Sequence, residues 1–234
     1  MRIWDIHPGY LNRQSLLGEH RELHGVAAIL SKGLAGYGRH PETLRWTDLG
    51  WALHQRHRML AAEMAFRGYR DRSPVRLRKA PGRWPETFID APGEQFARLA
   101  EKYAAKEPGR IRLPRSTHEL WAQHKYSLLA RDQAAYRAFG RRVSRLRGRD
   151  GFDAIALELT LWLRRPPTPG NLRNALDHMR GHPRVHRPPA TSTSRTLAAV
   201  QRAAREEHDA YLLSQTALTD LAAWPFRQSP RRSR

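Results

Sequence analysis

The densest chemistry in this 234-residue sequence lies in the run Gln14-Ser15-Leu16-Leu17-Gly18-Glu19-His20-Arg21-Glu22-Leu23. Glu19 and Glu22 are three residues apart, so on a helix they share a face, with Arg21 beside them in sequence. Carboxylates so placed can hold a cation or carry a proton. The same pattern also describes an ordinary solvated helix face, where isolated charge pairs are common. Cysteine is absent, which excludes thiolate metal sites, disulfides and a cysteine nucleophile. The histidines suggest no ligand set: His54 and His57 read as surface or satisfied core residues, and Pro183 breaks the helix that would align His178, His182 and His186. No metal and no cofactor are expected.

Lys and Arg total 42 against 22 Asp and Glu, a formal charge of +20. Such an excess repels itself unless a polyanion offsets it, which favours nucleic acid as partner. An arginine-rich proteome would give the same bias without that function. Arginine suits bidentate phosphate contacts better than lysine does. No apolar run reaches membrane-spanning length, and the start Met1-Arg2-Ile3-Trp4-Asp5-Ile6-His7-Pro8 lacks the apolar core of a signal peptide. The expectation is a cytoplasmic, nucleoid-associated protein with no membrane partner.

The elements that must position these residues read as helices, with no strand-period segment and no internal repeat. Asn12 caps a helix from Arg13 to Lys32 whose buried stripe is Leu16, His20, Leu23, Ala27 and Leu30, ended by Gly33. Thr47-Asp48 starts a second through Phe66, ended by Gly68. Prolines mark residues 71–93 as loop, and further helices are expected over Glu94 to Lys106, Thr117 to Arg147, Gly151 to Leu163, Gly170 to Arg180 and Thr196 to Trp224. Trp121 and Trp162 read as core. The fold class is all-α.

The opening Met1-Arg2-Ile3-Trp4-Asp5-Ile6-His7-Pro8-Gly9-Tyr10-Leu11, followed by Gln14 and Glu19-His20-Arg21-Glu22-Leu23, resembles the pyrimidine dimer DNA glycosylase family, the endonuclease V-like enzymes. The likeness continues through Gly36-Tyr37, His40-Pro41 and Ala62-Glu63-Met64-Ala65-Phe66-Arg67-Gly68-Tyr69. The resemblance implies a DNA glycosylase with abasic-site lyase activity on pyrimidine dimers in double-stranded DNA. It places the nucleophilic α-amine at Met1, since the Arg2 side chain is too large for usual methionine removal, and the essential glutamate at Glu22. It also implies that Arg2, Gln14 and Arg21 touch DNA or support the site; Arg13 and Arg45 are expected to join them on phosphates. An arginine that the family carries three residues after its glutamate is Gly25 here. Farther along, His118-Glu119-Leu120-Trp121, His124-Lys125-Tyr126, Tyr136, Gly140-Arg141, Pro167-Thr168, Asn171, Asn174, His178 and Gly181 resemble the helical YbgA-type domain of unknown function. The implied organisation is a glycosylase-like domain over 1–107, a YbgA-like domain over 115–182, a linker over 183–194, a helix over 195–224 and a basic tail over 225–234.

The implied chemistry agrees with elementary physics. An α-amine ordinarily titrates near pH 7.7–8.0, so a useful fraction is neutral at physiological pH, unlike a lysine. A carboxylate beside it can stabilise the developing sugar cation and carry protons through imine formation and elimination. A different base lesion as substrate, or a non-catalytic DNA-binding accessory role, remains open at this level.

Overall fold

Asn12 starts the longest helix as its spacing requires: its side-chain oxygen accepts from the Ser15 amide at 2.9 Å, and α1 runs Arg13–Lys32. Gly33 closes it in the left-handed conformation, φ 61°, which glycine adopts without a Cβ penalty. The computed structural model describes every residue except 34–36, 74, 76, 78–81, 182–191 and 226–234. Further helices are α2 (Pro41–Leu44), α3 (Gly50–Phe66), α4 (Pro92–Lys102), α5 (Thr117–Leu129), α6 (Gln133–Val143), α7 (Phe152–Leu163), α8 (Pro169–Arg180), α9 (Thr193–Glu206), α10 (Ala210–Leu213) and α11 (Ala217–Asp220). Among the described residues there is no strand, and the fold is all-α.

Three boundaries differ from expectation. The helix expected from Thr117 to Arg147 is two, because Asp132 takes an N-cap role and accepts from the Ala135 amide at 2.7 Å. The C-terminal helix breaks after Glu206, where His208 adopts φ 51°, and short turns replace its second half. The second expected helix starts at Gly50 rather than at Thr47-Asp48, since Asp48 itself has φ 60° and cannot cap it. The expected tail and most of the expected linker, with His182 and His186, lie outside the described residues.

One apolar core gathers Ile3, Tyr10, Leu16, Leu23, Leu53, Leu60, Phe96, Ile111, Leu120, Phe152 and Leu159, so it draws on both sides of the expected boundary at 108–114. That segment is structural: the Ile111 amide donates to the Gly9 carbonyl at 2.9 Å, and a Cβ on Gly109 would collide with the Tyr10 carbonyl. The Tyr10 hydroxyl donates to Gln123 Oε1 at 2.8 Å, joining the chain start to α5. A second core packs α5, α8 and α9 with the C-terminal turns through Leu129, Leu176, Val200 and Leu218. The buried pair Arg131–Asp220, at 2.8 Å, locks the turn after α5 to α11.

Candidate active site

Residues 1–7 form no regular element, so their backbone groups need partners elsewhere. The structure supplies them from Asp5 onward. Gln95 Oε1 accepts from the amides of Asp5 and Ile6 at 2.8 and 3.3 Å. The Asp5 carboxylate accepts two bonds from Arg45, at 3.0 and 2.8 Å, one from Arg164 at 2.7 Å and one from Gln95 at 3.0 Å. Arg56 donates from Nη1 to the Ile6 carbonyl at 2.8 Å, while its Nε and Nη2 hold both oxygens of Glu19 at 2.7 and 3.0 Å. Arg67 reaches the Gly9 carbonyl at 3.2 Å. The start of the chain is thereby tied to α1 through Glu19, one turn before Glu22 and on the same side of the helix. Burial pushes the Glu19 carboxyl up from its ordinary value, with Arg56 opposing it.

The solvent side of α1 is shaped by absences of side chains. Gln14, Gly18, Arg21 and Gly25 recur at spacings of four, three and four and form one stripe. Gln14, Arg21 and Gly25 are exposed and Gly18 half-buried. A Cβ added at Gly18 or Gly25 would meet nothing within 4 Å. Packing therefore does not require glycine at either position, although each costs the helix about 1 kcal/mol relative to alanine. The stripe from Gln14 to Gly25 is therefore low in relief on the solvent side of the helix.

Each residue singled out from sequence has a definite place. Met1 is half-buried, packed against the first core, and Glu22 is half-buried on α1. Among the described residues no ion pair joins the terminal amine to Glu22. Arg13, Gln14 and Arg21 are exposed. Arg2 lies with its guanidinium 4.4 Å over the Trp4 ring and pairs through Nη1 with Asp90, leaving Nε and Nη2 buried without partners. Against the burial that pushes it up, Arg2 and Arg98 hold the Asp90 carboxyl below its ordinary value. Arg45 is not a surface cation: its side chain is 2% exposed and locked on Asp5, so it positions the chain start rather than meeting a phosphate.

Several residues that sequence reasoning passed over complete the scaffold. Glu63, fully buried, accepts Arg110 at 2.8 and 2.7 Å, Arg67 at 2.7 Å and Thr219 at 2.7 Å. Against burial, Arg110 and then Arg67 hold its carboxyl well below the ordinary range. His7 is also fully buried, and desolvation keeps it from protonating near neutral pH. A cleft of about 850 Å³ is lined by Trp51, Trp84, Trp224, Arg58, Arg164 and Arg165. Their signal in sequence was only a scattering of Trp and Arg in different helices and loops.

Comparison with known families divides the chain. Residues 1–77 match the family model described as Pyrimidine dimer DNA glycosylase, which contains Met1, Glu22 and all the residues expected to touch DNA. Residues 125–193 match the model described as Protein of unknown function (DUF1722). No curated protein and no solved structure matches the chain. Over its N-terminal third the chain is similar to the pyrimidine dimer DNA glycosylase family. No helix among the described residues is long and apolar enough to cross a membrane.

Proposed function

We propose that the protein is a glycosylase and abasic-site lyase acting on pyrimidine dimers in double-stranded DNA, with the Met1 α-amine as nucleophile and Glu22 as its acid–base partner. The amine attacks C1′ of the damaged nucleotide, the C–N glycosidic bond breaks, and the base leaves with its electron pair and a proton. The C1′–O4′ bond then opens, O4′ taking a proton, and the sugar is left as an imine on the amine. Loss of a proton from C2′ then expels the 3′ phosphate by β-elimination, and water releases the enzyme. Glu22 stabilises the cation and carries protons in both steps. Arg13, Gln14 and Arg21 contact the backbone across the glycine stripe, and Arg2 braces the chain start through Trp4 and Asp90. Damage weakens stacking, which lowers the cost of extruding the nucleotide to expose C1′.

The observation that carries this reading is the Arg56 bridge: it binds the Ile6 carbonyl and both Glu19 oxygens, fixing the chain start against the helix that bears Glu22. The match of residues 1–77 to the glycosylase family supports it. The test is strand cleavage and borohydride trapping on a duplex carrying one cyclobutane dimer. A covalent band is expected from the native chain, with cleavage falling about 10²- to 10⁴-fold in Glu22→Gln. Cleavage at the native rate by Glu22→Gln, or by a chain extended at its N-terminus, overturns the proposal. Trapping on abasic duplex with none on dimers assigns a different lesion.

A further inference from the structure

Three imidazoles and a carboxylate meet between α1, α3 and the loop after Gly68. His20 and His24 are one turn apart on α1, His57 comes from α3, and Asp71 from the loop; one donor atom from each lies within 4.8 Å of all the others. The ring centroids are separated by 4.6, 5.1 and 4.9 Å, so the three imidazoles enclose a common point. Nε2 of His20 and of His57 face the two Asp71 oxygens at 3.4 and 3.3 Å. Yet Nε2 of all three histidines is buried without a hydrogen-bond partner, a costly state for groups that ordinarily find one.

The distances match a coordination polyhedron better than a hydrogen-bond network. For a tetrahedral zinc ion with bonds of about 2.0–2.1 Å, neighbouring ligand atoms are separated by about 3.3 Å. The separations of His20 and His57 from Asp71 are close to that value, each to a different oxygen of the carboxylate, so one of the two oxygens would serve as ligand. Seating the remaining donors asks for a shift on the order of 1 Å, within reach of a rotamer adjustment. Imidazole with one carboxylate is a donor set suited to zinc and its borderline neighbours rather than to magnesium or calcium.

We infer that His20, His24, His57 and Asp71 bind one zinc-like divalent transition-metal ion as a closed structural site. Four protein ligands leave no open position for substrate. Glu22 lies about 200° round α1 from His20 and likewise from His24, on the other side of the helix, so the ion is no part of the acid–base pair. Its effect is mechanical: it clamps α1 to α3 and to the Asp71 loop, fixing the helix that carries Glu22. This reverses the sequence expectation of no metal, which weighed His57 with His54 instead of with His20 and His24.

The experiment is zinc titration of the chelator-treated full chain by calorimetry, with metal content after dialysis and visible spectra after cobalt substitution. One ion per chain is expected, with tetrahedral cobalt bands and a raised melting temperature. His24→Ala, at a half-buried position, and the near-isosteric Asp71→Asn should each weaken binding at least as much as outer-shell changes do, about 10- to 100-fold. Circular dichroism checks that each variant is folded. Glu22→Gln should bind zinc like the native chain. Absence of saturable binding, or native affinity in both ligand variants, overturns the inference. Because the readout is metal and not strand cleavage, its outcome is independent of the proposed activity.

Discussion

Replacing Glu63 by glutamine tests how the two halves of the chain hold the site. The carboxylate accepts four charge-assisted or hydroxyl bonds, two on each oxygen, from Arg67, Arg110 and Thr219. Glutamine keeps one acceptor and turns the other into a donor, so about half the bonds are lost and a donor faces donors. Both guanidinium groups, 8% and 15% exposed, lose their counter-charge. Removing one partner of a buried pair costs about 3–5 kcal/mol. At about 2–4 °C per kcal/mol for a chain of this size, the melting temperature should fall by about 6–20 °C. Calorimetry and urea unfolding measure it, and Arg110→Met in the Glu63→Gln background should recover part of the loss, since it removes a stranded charge. A loss below about 1 kcal/mol, the scale of an exposed pair, would refute the assignment of Glu63 as the buried hub.

Four further outcomes follow from the same geometry. His7 and His124 are fully buried and burial lowers both, His124 to about 4; the unfolded chain therefore binds protons first, and stability should fall as pH drops from about 6.5 toward 4. Urea midpoints at pH 7 and 5 check it, above the range where Glu63 protonates, and a flat profile contradicts it. Gly25→Ala should raise stability by about 0.5–1 kcal/mol while weakening duplex affinity, measured by unfolding and by fluorescence anisotropy; unchanged affinity removes the argument for close backbone approach. Arg21→Ala should lower the salt dependence of duplex binding by about one phosphate contact. Arg45→Ala should instead destabilise the fold, because Arg45 neutralises buried Asp5.

What the sequence made legible was local. Asn12, the stripe Leu16-Leu23-Ala27 and Gly33 set both ends and the buried side of α1, because capping and helical period act within a few residues. Asp132 escaped notice because apolar residues continue at helical spacing on both sides of it, hiding the break between α5 and α6. The partners of charged residues were illegible for a different reason. Arg45 finds Asp5 at a separation of 40 residues, Arg56 finds Glu19 at 37 and Arg110 finds Glu63 at 47. Nothing in composition distinguishes such buried cations from the solvated arginines around them. The histidine cluster lay between these cases: His20 and His24 at a spacing of four were a visible signal, but their closure by His57 and Asp71 depends on tertiary packing.

The central claim concerns one nitrogen atom, and the most direct measurement is where a trapped sugar is attached. After borohydride reduction on dimer-containing duplex, proteolysis and mass spectrometry should find the DNA-derived mass on the α-amine of the peptide beginning at Met1. An adduct on a lysine side chain, or an unmodified Met1 peptide beside active strand cleavage, would contradict the account.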